Sequence, residues 1–104
     1  MNPVIFGYMR VPDDLSDEAA RRTQEVMKAY AEAHGLHLMT VFHEYVSGGQ
    51  AAFTDLVEAV GLAGVRQVLV PSYRELALNR SLQDAMALHL SSATGARILA
   101  VEED

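Results

Sequence analysis

Between Pro3 and Tyr8 the run Val4-Ile5-Phe6 is β-branched and aromatic without alternation, the pattern of a short strand covered on both faces. Pro12, Asp13 and Asp14 interrupt it. Ser16 is placed to cap a helix, and Asp17 with Glu18 suits the positive end of its dipole, so a helix is predicted to start at Asp17. Ala20, Thr23, Met27, Tyr30 and Ala31 fall on one face of it, whereas Arg21, Arg22, Glu25, Lys28 and Glu32 face water, and Gly35 supplies a left-handed stop. Leu36 to Tyr45 alternates, with Leu38, Thr40 and Phe42 opposite Met39 and Val41, which predicts a second strand of mixed burial. A loop at Ser47-Gly48-Gly49 leads to a second helix through Phe53, Leu56, Val57 and Val60, which loosens from Gly61 to Gly64. Val65 to Val70 reads as a buried third strand and Pro71 to Asn79 as a polar connection. Ser81 then caps a helix whose apolar stripe is Leu82, Ala85, Met86, His89 and Ala93, as far as Gly95. Ala96 to Val101 gives a last strand, and Glu102-Glu103-Asp104 a solvated end.

Four short strands separated by three helices require a crossover at every return. The predicted fold class is therefore α/β, a three-layer αβα arrangement around a mainly parallel four-stranded sheet. If the strand order is 2-1-3-4, the switch point lies between the first and third strands, and residues 9–16 and 71–80 line the crevice beyond their carboxyl ends.

Composition narrows the class. At 104 residues the chain is expected to be a single domain, 1–104, and half of its residues are hydrophobic, enough to build a core. A domain of this size buries somewhat over 60% of its extended-chain surface, so a partner subunit would add useful stability. Eight Lys plus Arg against fourteen Asp plus Glu leave a net charge of −6, and the lone lysine and seven scattered arginines form no basic stripe. Independent DNA binding is not expected. There is no cysteine, hence no disulfide, thiolate nucleophile or zinc–thiolate site. No leader pattern and no apolar run approaching about 18 residues is present, so the expectation is a cytoplasmic protein with no membrane association.

Phe6-Gly7-Tyr8-Met9-Arg10-Val11, the strand ending Val41-Phe42-His43-Glu44-Tyr45, and the following Ser47-Gly48 together resemble the N-terminal catalytic domain of serine recombinases, the resolvases and invertases. The likeness continues through Phe53 to Val60, Val68-Leu69-Val70-Pro71-Ser72, Leu76-Ala77 with Asn79, and Gly95 to Glu103, and so covers nearly the whole chain. It implies the resolvase-like fold. In that family the first turn reads Tyr-x-Arg-Val-Ser, and the serine attacks a DNA phosphodiester while arginines hold the phosphate oxygens. Here the serine's place is Pro12, which has no hydroxyl to deprotonate. The family's second signature, Asp-Arg-Leu-x-Arg, falls on Arg74-Glu75-Leu76-Ala77-Leu78, where one arginine has become an acid and the other a leucine. Each lost donor of this kind costs on the order of 10²–10³ in rate. The family's Arg-Pro pair after the Ser-Gly loop appears as Gln50-Ala51.

What the resemblance leaves of the family's active-site surroundings is Tyr8, Arg10, Glu44, Ser47 and, at the family's aspartate position, Arg74. Two readings compete for them. In one, Tyr8 and Arg10 pair with Glu44 or Glu75 and hold the fold; in the other, Arg10, Arg74 and the amides opening the third helix form a small-anion site. Ser16 reads as a cap, and Ser72 is the nearest substitute nucleophile. His34 and His37 straddle Gly35 with no evident third ligand, and His43 and Glu44 are neighbours on a strand and point to opposite faces. His89, within the last stripe, reads as a core or interface histidine, and Met27, Met39 and Met86 as core filling. No metal site is expected, since the paired histidines lack a third ligand, and no cofactor is expected, since no phosphate-cradling glycine motif occurs.

The family carries, beyond this core, a long dimerisation helix and a DNA-binding domain, and the expectation is a resolvase-like domain lacking both. The expectation is a catalytically inactive, resolvase-like domain that serves as a protein-interaction or regulatory module. It is expected to be a homo-oligomer, with a recombinase or another protein as partner. The alternatives are an accessory subunit of an active site-specific DNA recombinase and a small-anion or nucleotide-binding module or unidentified enzyme that uses the crevice.

Overall fold

The computed structural model describes residues 2–45 and 49–102. The chain runs β1 (Val4–Arg10), α1 (Asp17–Ala33), β2 (His37–Glu44), α2 (Ala51–Ala63), β3 (Gln67–Ser72), a 3-10 turn (Tyr73–Leu76), α3 (Arg80–Thr94) and β4 (Arg97–Glu102). The four strands form one sheet in the order β2-β1-β3-β4, every pair parallel, as the alternation of strands and helices requires. All carboxyl ends therefore point one way. Ser47 and Gly48 of the predicted loop, and Glu103 and Asp104 of the predicted tail, lie outside the described residues.

Side-chain alternation assigns the two faces. A Cβ on Gly7 would come within 3.0 Å of Met27 Cε and of Val41 Cγ2, so Gly7 faces α1, and only glycine lets that helix sit so close. Leu69 and Leu99 share the α1 face, because Gly7 pairs with Leu69 and Leu69 with Leu99. Phe6 and Tyr8 point the other way, where Tyr8 meets Phe53 of α2 edge-to-face at 5.5 Å. One helix thus covers one face, and α2 with α3, which touch each other, covers the other. Ile5, Met27, Leu56, Val68, Leu69, Val70 and Leu90 are fully buried, each stabilising the fold by about 1.5–3 kcal/mol relative to exposure.

Ser16 caps α1 as predicted, its Oγ accepting from the Ala19 amide at 3.0 Å, and Gly35 turns left-handed after the helix at φ 71°. Four expectations fail for identifiable reasons. The alternation of β2 breaks because its register against β1 shifts between Ile5↔Leu38 and Phe6↔Thr40, leaving Met39 as the extra residue of a bulge. Leu38 and Val41 consequently share the α1 face, and Met39 is 63% exposed instead of filling the core. Second, α3 is capped by Asn79, whose Oδ1 accepts from the Leu82 amide, and not by Ser81. Third, its inward residues are Gln83, Met86 and Leu90, so His89, Ala85 and Ala93 face water. Gln83 is buried because its Nε2 donates to the carbonyls of Ala77 at 3.0 Å and Arg74 at 3.3 Å, and seating that amide turns His89 outward. Fourth, α2 continues through Gly61 to a left-handed stop at Gly64, and β3 runs on through Pro71 and Ser72.

Candidate functional site

The carboxyl ends of β1 and β2 and the start of α2 meet at Glu44. This residue closes β2 on the α2 side of the sheet, while its neighbour His43 faces α1, with Nε2 2.9 Å from Gln24 Oε1. The two side chains point apart, as strand geometry demands. Glu44 is only 4% exposed, yet its carboxylate is well supplied with donors. Oε1 accepts from the Tyr8 hydroxyl at 2.9 Å and the Phe53 amide at 3.2 Å, and Oε2 accepts from the Ala52 amide at 3.1 Å. The two amides belong to the first turn of α2, whose own N-cap, Gln50, makes no side-chain capping bond. Glu44 therefore caps α2 from the neighbouring strand and places a negative charge at the positive end of its dipole.

Tyr8 completes the arrangement from β1. Its hydroxyl is pushed far above the ordinary tyrosine range, first by burial and then by the bond to Glu44, with the Arg10 charge pulling in the opposite direction. It keeps its proton and acts as a donor. Two positions on, Arg10 reaches across the crevice between β1 and β3: Nε and Nη2 donate to the Leu76 carbonyl at 3.0 and 2.8 Å, and Nη1 to the Gly49 carbonyl at 3.1 Å. This guanidinium ties β1 to the 3-10 turn and to the loop before α2. Of the predicted pairings, Tyr8 with Glu44 is present, while Arg10 bonds to main-chain carbonyls where a carboxylate was expected.

The remaining candidates lie around this cluster. Pro12 sits on the exposed turn after β1, its carbonyl accepting from the Leu15 amide at 3.0 Å, and the Val11 amide just before it donates to the Glu44 carbonyl at 2.9 Å. Ser72 is 5% exposed at the end of β3, and its Oγ accepts from the Arg74 amide at 3.3 Å. Arg74 is exposed on the 3-10 turn and contributes its carbonyl to Gln83. Ser47 lies outside the described residues. His34 Nδ1 lies 2.8 Å from the Tyr30 carbonyl, and its ring stacks on Tyr30 at 4.0 Å. Among the described residues, no group of three or more His, Cys, Asp or Glu is placed to hold a metal, and no buried side-chain nitrogen or oxygen lacks a partner.

Sequence reasoning missed the amides of Ala52 and Phe53 and the part played by Gln83. A signal existed for each. A helix opening with Gln50-Ala51 has no Ser, Thr, Asp or Asn at its head, so its amides need a cap from elsewhere. Gln83 lies three and seven residues before Met86 and Leu90, inward spacing for a polar side chain that must then find carbonyls.

No family model matches the chain, and no curated protein matches it. Solved structures do. The C-terminal catalytic domain of ISC1926 TnpA, an IS607-like serine recombinase, superimposes with a TM-score of 0.78 at 22% identity, over 97% of this chain and 69% of that one. A resolvase family site-specific recombinase from Streptococcus pneumoniae gives 0.75 at 20% identity, over 96% and 72%. The N-terminal catalytic domain of TP901-1 integrase gives 0.72 at 17% identity, over 94% and 76%. The fold is the resolvase-like fold of serine recombinase catalytic domains, as the sequence resemblance implied.

Proposed function

We propose that this chain is a catalytically silent domain of the serine recombinase type that works by binding protein and not by cutting DNA. The observation that carries the reading is Pro12: the turn at which the resemblance calls for an attacking serine presents a ring without a hydroxyl. The surroundings agree with it. Ser16 and Ser72, the hydroxyls flanking the crevice, each accept from a backbone amide in a capping role. Arg10, which a phosphate would need, has its Nε and both terminal nitrogens engaged by carbonyls. Glu75 and Leu78 stand where the resemblance calls for two further cations, and a chain of net charge −6 gathers no polyanion of its own accord.

The test is incubation of the chain with supercoiled plasmid carrying candidate recombination sites, with an active serine recombinase run in parallel. The silent domain leaves the plasmid closed and unrecombined; nicking that depends on any serine of this chain overturns the reading.

The preserved resolvase-like fold favours one further possibility within the same frame, an accessory subunit that pairs with an active recombinase and alters its assembly. In that case pull-down from the native host recovers a full-length recombinase, and adding the chain to that enzyme changes its recombination rate. Recovery of unrelated proteins alone points to a general regulator. The small-anion alternative predicts thermal stabilisation by phosphates or nucleotides, about 2.7 kcal/mol at 100 times the Kd.

A further inference from the structure

On one face of the sheet a single helix about 10 Å wide lies over four strands that span roughly 19 Å, so it cannot cover them all. Helix α1 packs on β2 and β3, and beside it, over β2, runs an open groove of about 490 Å³. Leu38 and Val41 give this groove an apolar floor. Met39 and Tyr45, 63% and 65% exposed, stand at either end of the same stretch of chain. β2 is also the outermost strand on this side of the sheet, and it lies in mid-chain between α1 and α2.

The ladder to β1 decides which main-chain groups of β2 look outward. The Glu44 carbonyl accepts from the Val11 amide at 2.9 Å, so Glu44 turns its main chain toward β1. Pairing is regular from Phe6↔Thr40 to Arg10↔Glu44, and in a parallel ladder alternate residues bond the same neighbour. Thr40 and Phe42 therefore face β1 as well, and the amides and carbonyls of Val41 and His43 face away from the sheet. The side chains of these two residues line the groove, so an unpaired edge and a groove run side by side. The bulge at Met39 ends the regular pairing and keeps the open edge short. That length suits a peptide and gives a broad sheet little to join. On the α1 wall the charges of Asp17, Arg21, Glu25 and Lys28 sum to zero, which fits a neutral backbone and not a nucleic-acid strand.

We propose that the β2 edge binds an extended peptide segment of a protein partner, which adds a strand at Val41 and His43 and places apolar side chains in the α1 groove at alternate positions. Main-chain bonds hold the segment, and the groove selects its side chains. The inference rests on the protein-binding part of the proposed function, and the two fail separately. Nicked plasmid overturns the silence of the Pro12 turn and leaves the β2 edge untouched, whereas an edge that takes no peptide leaves Pro12 without a hydroxyl.

Selection of a displayed library of linear heptapeptides on the full chain tests this, with synthetic copies of the enriched peptides titrated by fluorescence anisotropy. Enriched peptides alternate apolar residues and carry no proline at the paired positions. In the free chain the Val41 and His43 amides exchange faster than those of Phe42 and Glu44, and bound peptide slows them about tenfold or more. His43→Pro removes one outward amide and spares the β1 ladder; it lowers affinity about tenfold or more relative to His43→Ala, which keeps that amide. Circular dichroism checks that both variants fold. N-methylation of the peptide at one alternating set of residues, and not at the other, gives a matching loss with the wild-type chain, which decides the matter if proline disturbs β2. An unenriched library overturns the proposal, as does protection confined to another element, a folded His43→Pro that binds as tightly as His43→Ala, or binding indifferent to N-methylation.

Discussion

Two places in this molecule combine a tyrosine, a carboxylate and an arginine, and they do different work. At the end of β1 the Tyr8 hydroxyl lies 2.9 Å from Glu44, with Arg10 close by; beside α3 the Tyr73 hydroxyl lies 2.8 Å from Asp84, which also bonds Arg80 at 3.1 Å, and Arg80 stands 5.0 Å over the Tyr73 ring. The hydrogen bonds are alike in length. The surroundings are not. Glu44 is buried and also holds two amides of α2, so β1, β2 and α2 depend on one carboxylate. Asp84 and Arg80 stand one helical turn apart with side chains 57% and 75% exposed, where water competes for every bond. The same three residue types make a structural joint when their bonds cross between elements in a dry interior, and a surface ornament when they do not.

Substitutions sharpen that contrast. Glu44→Ala strands the Tyr8 hydroxyl and the Ala52 and Phe53 amides, and is expected to cost about 3 kcal/mol or more in denaturant unfolding. The melting temperature falls by more than about 12 °C. Tyr8→Phe removes one bond to a charged acceptor and leaves the two amides in place, for a loss of about 2 kcal/mol. It also changes the response to alkali. The folded chain holds the Tyr8 proton above the pH at which the unfolded chain releases it, about 10. The unfolded state therefore binds fewer protons above that pH, and stability falls as pH rises through it. Tyr8→Phe flattens that fall, which urea midpoints measured from pH 9 to 11 would register. Arg10→Met frees the Leu76 and Gly49 carbonyls toward solvent, with an expected loss of about 1.5 kcal/mol and faster amide exchange in the 3-10 turn. Tyr73→Phe and Asp84→Asn come last, with no resolvable change in the urea midpoint. A midpoint as sensitive at Tyr73 as at Tyr8 would break the comparison.

The sheet was legible because unalternating runs such as Val68-Leu69-Val70 mark strands covered on both faces, and because parallel strands separated by helices permit few orders. Met39 was misplaced because a bulge adds one residue to one strand, which alternation along that strand alone cannot register. His89 was misplaced because the choice of inward face turned on Gln83, a polar residue whose burial depends on carbonyls presented by a turn that precedes the helix. At the site, Glu44 and Tyr8 were readable as a pair from their positions at the ends of neighbouring strands. The capping of α2 by Glu44 was not, since it joins a strand end to a helix head across a loop. Pro12 needed no structure at all: a missing hydroxyl is a property of the residue.

The central claim is that no serine of this chain becomes esterified to DNA. Its most direct test is to incubate the chain with supercoiled DNA, denature, and examine the protein by intact-mass and peptide mass spectrometry for a nucleotide-bearing residue. The account predicts unmodified chain throughout, in samples where an active serine recombinase yields its phosphoserine adduct. A nucleotide mapped to Ser16, Ser72 or any other serine would contradict it.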